Sequence, residues 1–311
     1  MTLELTRRSL EIGPIEIFGL SINPTIHFYG VVIVLGIILA TTLIAWLAKR
    51  DKEDPELVWN GVIWVVIAGV IGARLWSVLF PAESANSNAS WSLDYITDLE
   101  NGPIAIWSGG LSIFGALVGG LIGMQLYAMR HKLHRLVWLD RIAIGVPLGQ
   151  AIGRWGNFIN EELYGKPTDL PWGIKISNPI GGYSPSETFH PLFLYESLGT
   201  LIICGLLLWL WTTQRDRFQH GDFLLLYIMS YGALRFVLEF LRIDIPTVAG
   251  VNVSQVVAAL MFLGAAGGFF LRPRNNEAFG YTSFGISPTN PPTTDKSHKK
   301  QAAKKKVSAA K

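Results

Sequence analysis

Hydrophobic and polar positions along the chain segregate into long blocks. Seven apolar stretches stand out, at 27–48, 58–80, 107–129, 141–160, 192–212, 222–242 and 250–271. A bilayer's hydrocarbon core takes about 20 residues of helix to cross, so each stretch predicts a spanning helix. The fourth is unusual. Its second half is GRWGNFINEELYG (153–165), which places Arg154, Asn157, Asn160, Glu161 and Glu162 within nine residues. The expected fold class is an all-α polytopic membrane protein of about seven transmembrane helices with a small extracytoplasmic head. Residues 1–26 read as an N-terminal interfacial arm, 27–272 as the membrane domain and 273–311 as a disordered basic tail. The head falls at about 163–190, where Pro and Gly are frequent and a short hairpin is expected around PWGIKI (171–176).

Composition agrees with membrane residence. Half the residues are hydrophobic and only 16% are charged, a balance that a solvated globular surface does not have. The start does not read as a cleavable signal peptide, because no apolar core follows Arg7 and Arg8 directly. The single cysteine, Cys204, lies in the middle of the fifth stretch, which excludes disulfides within the chain and suits a packing role. Lys and Arg collect in 48–54, 129–135, 212–217 and the tail, whereas 81–103 is nearly free of them. With seven spans, all four basic segments fall on one side, predicting an outside N-terminus and a cytoplasmic C-terminus. Arg7 and Arg8 are an exception on the outer side. The Lys-rich tail suits contact with anionic lipid.

Charges inside the apolar stretches carry the chemistry. An arginine at mid-helix costs about 2.5–3.5 kcal/mol on insertion scales, which makes each intramembrane charge a candidate functional group. Arg74, Arg154, Arg235, Glu239 and Arg242 are such residues. Spans two, four and six run in the same direction and carry their arginine in the second half, so these charges gather near the outer leaflet. HFYG (27–30) and WSGGLSIFG (107–115) reach the same level from spans running the other way. At 100° per residue, Gln150, Arg154, Asn157 and Glu161 share one face of span four. Gly145, Gly149, Gly153, Gly156 and Asn160 occupy the neighbouring face, where a partner backbone can approach. Gly115, Gly119 and Gly123, and separately Ser108, Ser112, Ala116 and Gly120, make similar rows in span three. Tyr231, Arg235, Glu239 and Arg242 share a face of span six.

Plainer roles are open for several of these groups. Arg235 and Glu239 can neutralise one another at i,i+4. Arg242, close to Asp244, can anchor the helix end at the interface. Arg74 can be a packing residue bonded to a carbonyl, and His27 and His190 suit hydrogen bonding at helix starts. Two or more arginines in a lipid-level cavity nevertheless fit a phospholipid phosphate, because guanidinium stays charged when desolvated and binds phosphate oxygens in pairs. No nucleotide loop, zinc motif or serine elbow stands in a suitable context, and nucleic-acid binding is not expected of the basic tail. No metal or cofactor is expected. A transporter of lipids or small molecules is the competing class; it predicts internal repeats and a midplane site, and neither is legible.

The segment from Gly153 to Gly165 resembles the defining motif of the prolipoprotein diacylglyceryl transferases. Gly153 and Arg154 are followed by Asn157, Asn160, Glu162 and Gly165 at that motif's spacing. The resemblance extends to HFYG, GARLWSVLF (72–80), WSGGLSIFGALVGG (107–120), HPLFLYE (190–196) and YGALRFVLEFLR (231–242). It implies a multi-pass enzyme of the bacterial inner membrane that moves diacylglycerol from phosphatidylglycerol to the lipobox cysteine of a prolipoprotein signal peptide. It further implies that Arg154 binds phosphatidylglycerol and that Arg235 is a second essential arginine. Tyr29, Asn157, Glu162, Glu239 and Arg242 join them as site residues, with Asn160 and Arg74 as further lipid-binding candidates. The motif favours Glu162 over the helical-wheel choice Glu161, so the helix is expected to end or bend near Asn160. Many relatives carry a histidine, a candidate base, at the position of Phe114; here the base is open among His27, Tyr29, His190 or none.

Overall fold

The computed structural model describes residues 3–13, 15–17, 20–22, 25–80, 112–243, 245, 247–248 and 250–273. The tail from 274, the loop 81–103 and Ser108 lie outside them, so the expectations for these do too. Among the described residues there are seven helices: α1 (Phe28–Arg50), α2 (Glu56–Leu79), α3 (Ile113–Arg130), α4 (Arg135–Asn160), α5 (Leu192–Thr213), α6 (Asp222–Leu238) and α7 (Val253–Phe270). Among the described residues, six are long and apolar enough to cross a membrane; α3 begins at the edge of an undescribed segment. The fold is all-α and polytopic, and exposed Leu75, Leu121, Ile202 and Leu260 give it an apolar exterior suited to acyl chains.

The N-terminal arm is not helical. Strands β1 (Leu3–Leu5), β2 (Ser9–Ile12) and β5 (Thr25–His27) pair antiparallel in the order β1-β2-β5, and β3 (Ile15–Ile17) pairs with β4 (Leu20–Ile22). In the head, β6 (Ile174–Lys175) pairs with β7 (Thr188–Phe189) over two residues each. The expected short hairpin is therefore a small ladder closed by residues 176–187. Tyr164, Ile176 and Phe189 form the head's own apolar core. A last pair, β8 (Thr247–Val248) and β9 (Val251–Asn252), leads into α7, where Asn252 caps the first turn by accepting from the Gln255 N–H at 3.0 Å.

Lipid tails are as apolar as leucine, so helices associate in a membrane through close packing. The glycine rows supply it. A Cβ on Gly72 would stand 2.3 Å from the Gly115 carbonyl oxygen, and one on Gly119 2.2 Å from that of Ala68, so α2 and α3 touch backbone to backbone. The row on α4 meets α1 in the same way: Gly145 lies against Ile44, Gly149 against Gly36, and Gly156 against the ring of Tyr29. Helices α5, α6 and α7 continue from α4. Leu47, Ile144, Ile203, Leu207, Trp211 and Phe223 form the core that α1, α4, α5 and α6 share.

Helix α4 starts at Arg135, six residues before the expected 141. Asp140 and Arg141 read as a boundary in the sequence, yet both are buried inside the helix. Arg141 makes a paired fork to Glu53 at 2.8 Å and also donates to Asp51 at 3.0 Å. Asp140 accepts the N–H groups of Gly221 and Leu224 at 2.6 and 3.0 Å. Partnered charges of this kind do not end a helix, and these tie the turn after α1 and the start of α6 to α4 at one end of the bundle. There, burial together with nearby His134, Arg272, Arg141 and Arg215 lowers the pKa of His220 below the ordinary imidazole value.

Candidate active site

The site is built at the opposite end of the bundle, where α4 stops. The chain turns left-handed at Glu161 (φ 56°); the Glu162 N–H returns to the Asn157 carbonyl at 2.9 Å and the Glu161 N–H to Phe158 at 3.2 Å. That is a Schellman cap made without glycine, and Leu163 is left-handed as well (φ 55°). The reversal separates the two glutamates. Glu161 faces the head, accepting from the Ser177 N–H and Oγ at 3.0 Å and pairing with Arg7. Burial alone would raise the pKa of its carboxyl, but the Ser177 bonds and Arg7 outweigh it and hold the value below the ordinary range. Glu162 turns back to the helix and accepts from Asn157 Nδ2 at 2.7 Å. Glu162, and not Glu161, is therefore the glutamate turned toward Asn157, because regular helix ends at Asn160.

From Asn157 a continuous chain of polar contacts crosses three helices. Arg154 donates to Asn157 Oδ1 at 3.3 Å and to Glu196 Oε1 at 2.6 Å. Glu196, on α5, also accepts from Tyr231 Oη at 3.0 Å and, through Oε2, from Arg235 at 3.2 Å. Arg235 continues to Glu239 at 3.1 Å, and Arg242 stands 3.7 Å from the same carboxylate oxygen. Span six therefore presents its charges on one face as expected, and the Arg235–Glu239 pair forms but is not closed on itself. The α-helix ends at Leu238, earlier than the expected 242, and Glu239–Leu241 is 3-10 helix. The carboxylates are the buried members, Glu196 at 5% and Glu239 at 1% side-chain exposure, whereas Arg154 and Arg235 each keep 23%. The guanidinium groups, and not these two carboxylates, are therefore on the accessible side.

The head holds this end together. The Gly165 N–H donates to the His190 carbonyl at 2.9 Å and the Lys166 N–H to the Leu241 carbonyl at 2.7 Å, with Gly165 and Arg242 bridged antiparallel. Gly165 is required by close approach, since a Cβ there would lie 2.8 Å from His190 Cβ and 2.9 Å from the Leu241 oxygen. Arg7, the outlier in the charge distribution, is explained by its pairing with Glu161 and by its place over the Phe158 ring, 5.8 Å from the centroid.

Tyr29 lies against Gly156, next to Asn157, so the first helix does reach the motif. Asn160 is the last helical residue, and none of the described hydrogen bonds uses its side chain. Arg74 is buried on α2, whose main neighbour is α3; it is not among the described partners of the Arg154 chain. Phe114 is 65% exposed and packs beside Trp76. His190 Nδ1 is 3.1 Å from Tyr195 Oη, which also accepts from Trp172 Nε1 at 2.7 Å, and His27 is exposed. Glu196 is the residue that the sequence reading missed. It sits one turn inside an apolar stretch, so the intramembrane-charge rule flags it, but only its position between two arginines assigns it a part.

The prolipoprotein diacylglyceryl transferase family model matches residues 16–271. The phosphatidylglycerol–prolipoprotein diacylglyceryl transferase of Gloeobacter violaceus is 37% identical, covering 80% of this chain and 90% of its own length. That of Synechococcus elongatus is 36% identical, over 80% and 81%, and one of two from Streptomyces coelicolor is 34% identical, over 83% and 70%. With its motif forming the hinge of a three-helix arginine site, this chain belongs to the prolipoprotein diacylglyceryl transferase family.

Proposed function

We propose that the protein transfers the diacylglyceryl group of phosphatidylglycerol to the lipobox cysteine thiol of prolipoproteins, with the Arg154–Glu196–Arg235 chain as its phosphate site. The carrying observation is two accessible guanidinium groups, from α4 and α6, held on one buried carboxylate. The substrate brings the thiol, which agrees with Cys204 being buried in the α1–α4–α5–α6 region and donating to the Ile144 carbonyl. Sulfur attacks the glycerol carbon next to the phosphate, a C–S bond forms and the C–O bond breaks. Glycerol phosphate leaves, and the proton lost from sulfur balances the charge it gains. The phosphate passes from a diester with one charge toward a monoester with nearly two, so cations that bind the second state better lower the barrier. Their field also raises the ionised fraction of a thiol whose free pKa is about 8.5.

In this reading Asn157 and Asn160 orient the glycerol hydroxyls or phosphate, and Glu162 and Glu239 hold their partners in place. Arg242 adds positive charge at the rim, Tyr29 closes the site from α1, and Arg74 serves lipid binding from outside the chain of contacts. In this reading the protein sits in the bacterial inner membrane with the site at the extracytoplasmic surface and the basic turns in the cytoplasm, an orientation that the distribution of Lys and Arg supports. The decisive experiment combines purified protein, phosphatidylglycerol and a lipobox peptide, and reads the mass of the cysteine adduct. Arg154→Ala is expected to slow the reaction by about 10²–10³, as loss of one preorganised oxyanion donor does. Near-normal rate in that variant removes the arginine from the mechanism, and no adduct with the unaltered protein removes the activity.

A further inference from the structure

Far from the arginine chain, the two close-packed units leave a gap. The α2–α3 pair and the α1–α4 pair are each zipped through glycine rows, and between them lies a cavity of about 290 Å³. Its walls are almost wholly aliphatic, from Ile37 and Ile44 of α1 to Val62, Met124 and Ile142. That volume is close to the lower limit for small-molecule pockets, and an apolar lining of this kind excludes water.

Apart from Thr41 on α1, the polar groups gather toward one end. Tyr127 and Trp138 line the cavity and are 4% and 7% exposed, yet neither Tyr127 Oη nor Trp138 Nε1 has a hydrogen-bond partner among the described residues. Arg135 joins them at the rim, with its three guanidinium nitrogens 3.1–3.2 Å from the Gln125 amide oxygen once that amide is oriented to accept. Exposed Arg130 and Lys132 lie at the end of α3 and in the turn that follows it. Tyr127 and Trp138 each hold an unpartnered group able to donate there, and Arg135 adds a cation. Their complement is a ligand whose head offers only acceptors and carries negative charge, and whose body is a hydrocarbon chain. Glycerophospholipids have that form, in ester carbonyls and a phosphodiester above an acyl tail.

We infer that this cleft is a second lipid site, which seats an acyl chain of an anionic glycerophospholipid from the leaflet opposite the reaction site. The Tyr127 hydroxyl, the Trp138 indole N–H and the Arg135 guanidinium donate to its ester and phosphate oxygens. The lipid fills the space that the glycine-zipped pairs cannot close, and so joins α2–α3 to the rest of the bundle.

The test is native mass spectrometry of the full chain in detergent, titrated with dioleoyl phosphatidylglycerol or with dioleoylglycerol, which lacks the phosphate. The Tyr127→Phe/Arg135→Gln variant is expected to retain one phosphatidylglycerol fewer than the unaltered protein, or to hold it about 10-fold more weakly. Its diacylglycerol binding should fall less, because only the Tyr127 bond to an ester oxygen is lost there, and its transferase rate should be unchanged. Arg135→Gln alone changes only an exposed side chain, so it folds in any event and must weaken the same lipid. Equal phosphatidylglycerol retention in variant and unaltered protein overturns the inference, as does an equal loss of diacylglycerol. Arg154→Ala run alongside reports on the reaction site separately, because a failure there leaves the Tyr127/Arg135 difference standing.

Discussion

Glu196→Gln isolates what the central carboxylate does for the two arginines. Glu196 uses Oε1 for Arg154 and Tyr231 and Oε2 for Arg235. An amide in the same place keeps one acceptor oxygen, which can remain with Arg154 and Tyr231. Its NH2 then faces Arg235, donor against donor. The Arg235 bond, charge-assisted and worth about 1.5–3 kcal/mol, is lost, and the Arg154 bond keeps its ionised donor but loses the opposing charge, a further ~1 kcal/mol. Together the loss is about 3 kcal/mol of orientation, or on the order of 10²-fold in rate. The same change adds net positive charge to the site, so binding of anionic phosphatidylglycerol should hold or tighten while the chemical step slows. Initial rates across phosphatidylglycerol concentration with a fixed lipobox peptide separate the two. The expected result is a large fall in kcat with KM unchanged or lower. A variant with unaltered kcat, or one in which only KM rises, refutes the claim that Glu196 positions the arginines for the reaction.

Three further outcomes follow from the geometry. Gly156→Ala would favour the α4 helix by up to about 1 kcal/mol through propensity; its Cβ would stand 2.5 Å from Tyr29 Cδ2, so the ring must move. Activity should fall with melting temperature nearly unchanged, and full activity would remove Tyr29 from the site. Gly165→Ala pushes on the His190 Cβ and the Leu241 carbonyl; a cost of about 1–3 kcal/mol for overpacking should appear in thermal unfolding together with reduced activity, and wild-type behaviour in both would show that the head does not brace Arg242. The lowered pKa of Glu161 means that its ionised form is favoured by folding, so its stabilising contribution is present above the unfolded carboxylate value of about 4.3 and is lost as pH falls through the lower, folded value. Glu161→Gln should therefore melt below the unaltered protein at neutral pH, with the gap closing in strong acid; a gap independent of pH would show that the Arg7 and Ser177 contacts do not act through the charge.

Much of this architecture is local and so was readable from the chain. A span requires about 20 apolar residues in succession, and a helical face follows from 100° per residue, so α1, α5 and the glycine rows lie close to where the pattern puts them. The rows also named their use, because a side chain of one hydrogen leaves room for a partner's backbone. Errors came where local pattern and tertiary partner disagree. Asp140 and Arg141 looked like the edge of a span and are interior residues of α4, because Asp51, Glu53 and the Gly221 and Leu224 N–H groups satisfy them. Glu161 shared a face with Arg154 on an ideal helix, but left-handed backbone at that residue sends it to the head.

Which arginines meet was decided by depth and rotation of separate helices, and these depend on packing between residues far apart in sequence. Arg154, Glu196 and Arg235 form one unit because α5 lies between α4 and α6 with Glu196 at their common level. Arg74 is carried on α2, whose main packing partner is α3. The gap between that pair and α1–α4 is likewise a property of how two tightly zipped units fit together, which no single segment encodes. Sequence alone determined the spans, their polar faces and the family motif, since each depends on neighbours along the chain. Tertiary structure alone decided the carboxylate that joins the arginines and the cleft at the other end, since each exists only between helices.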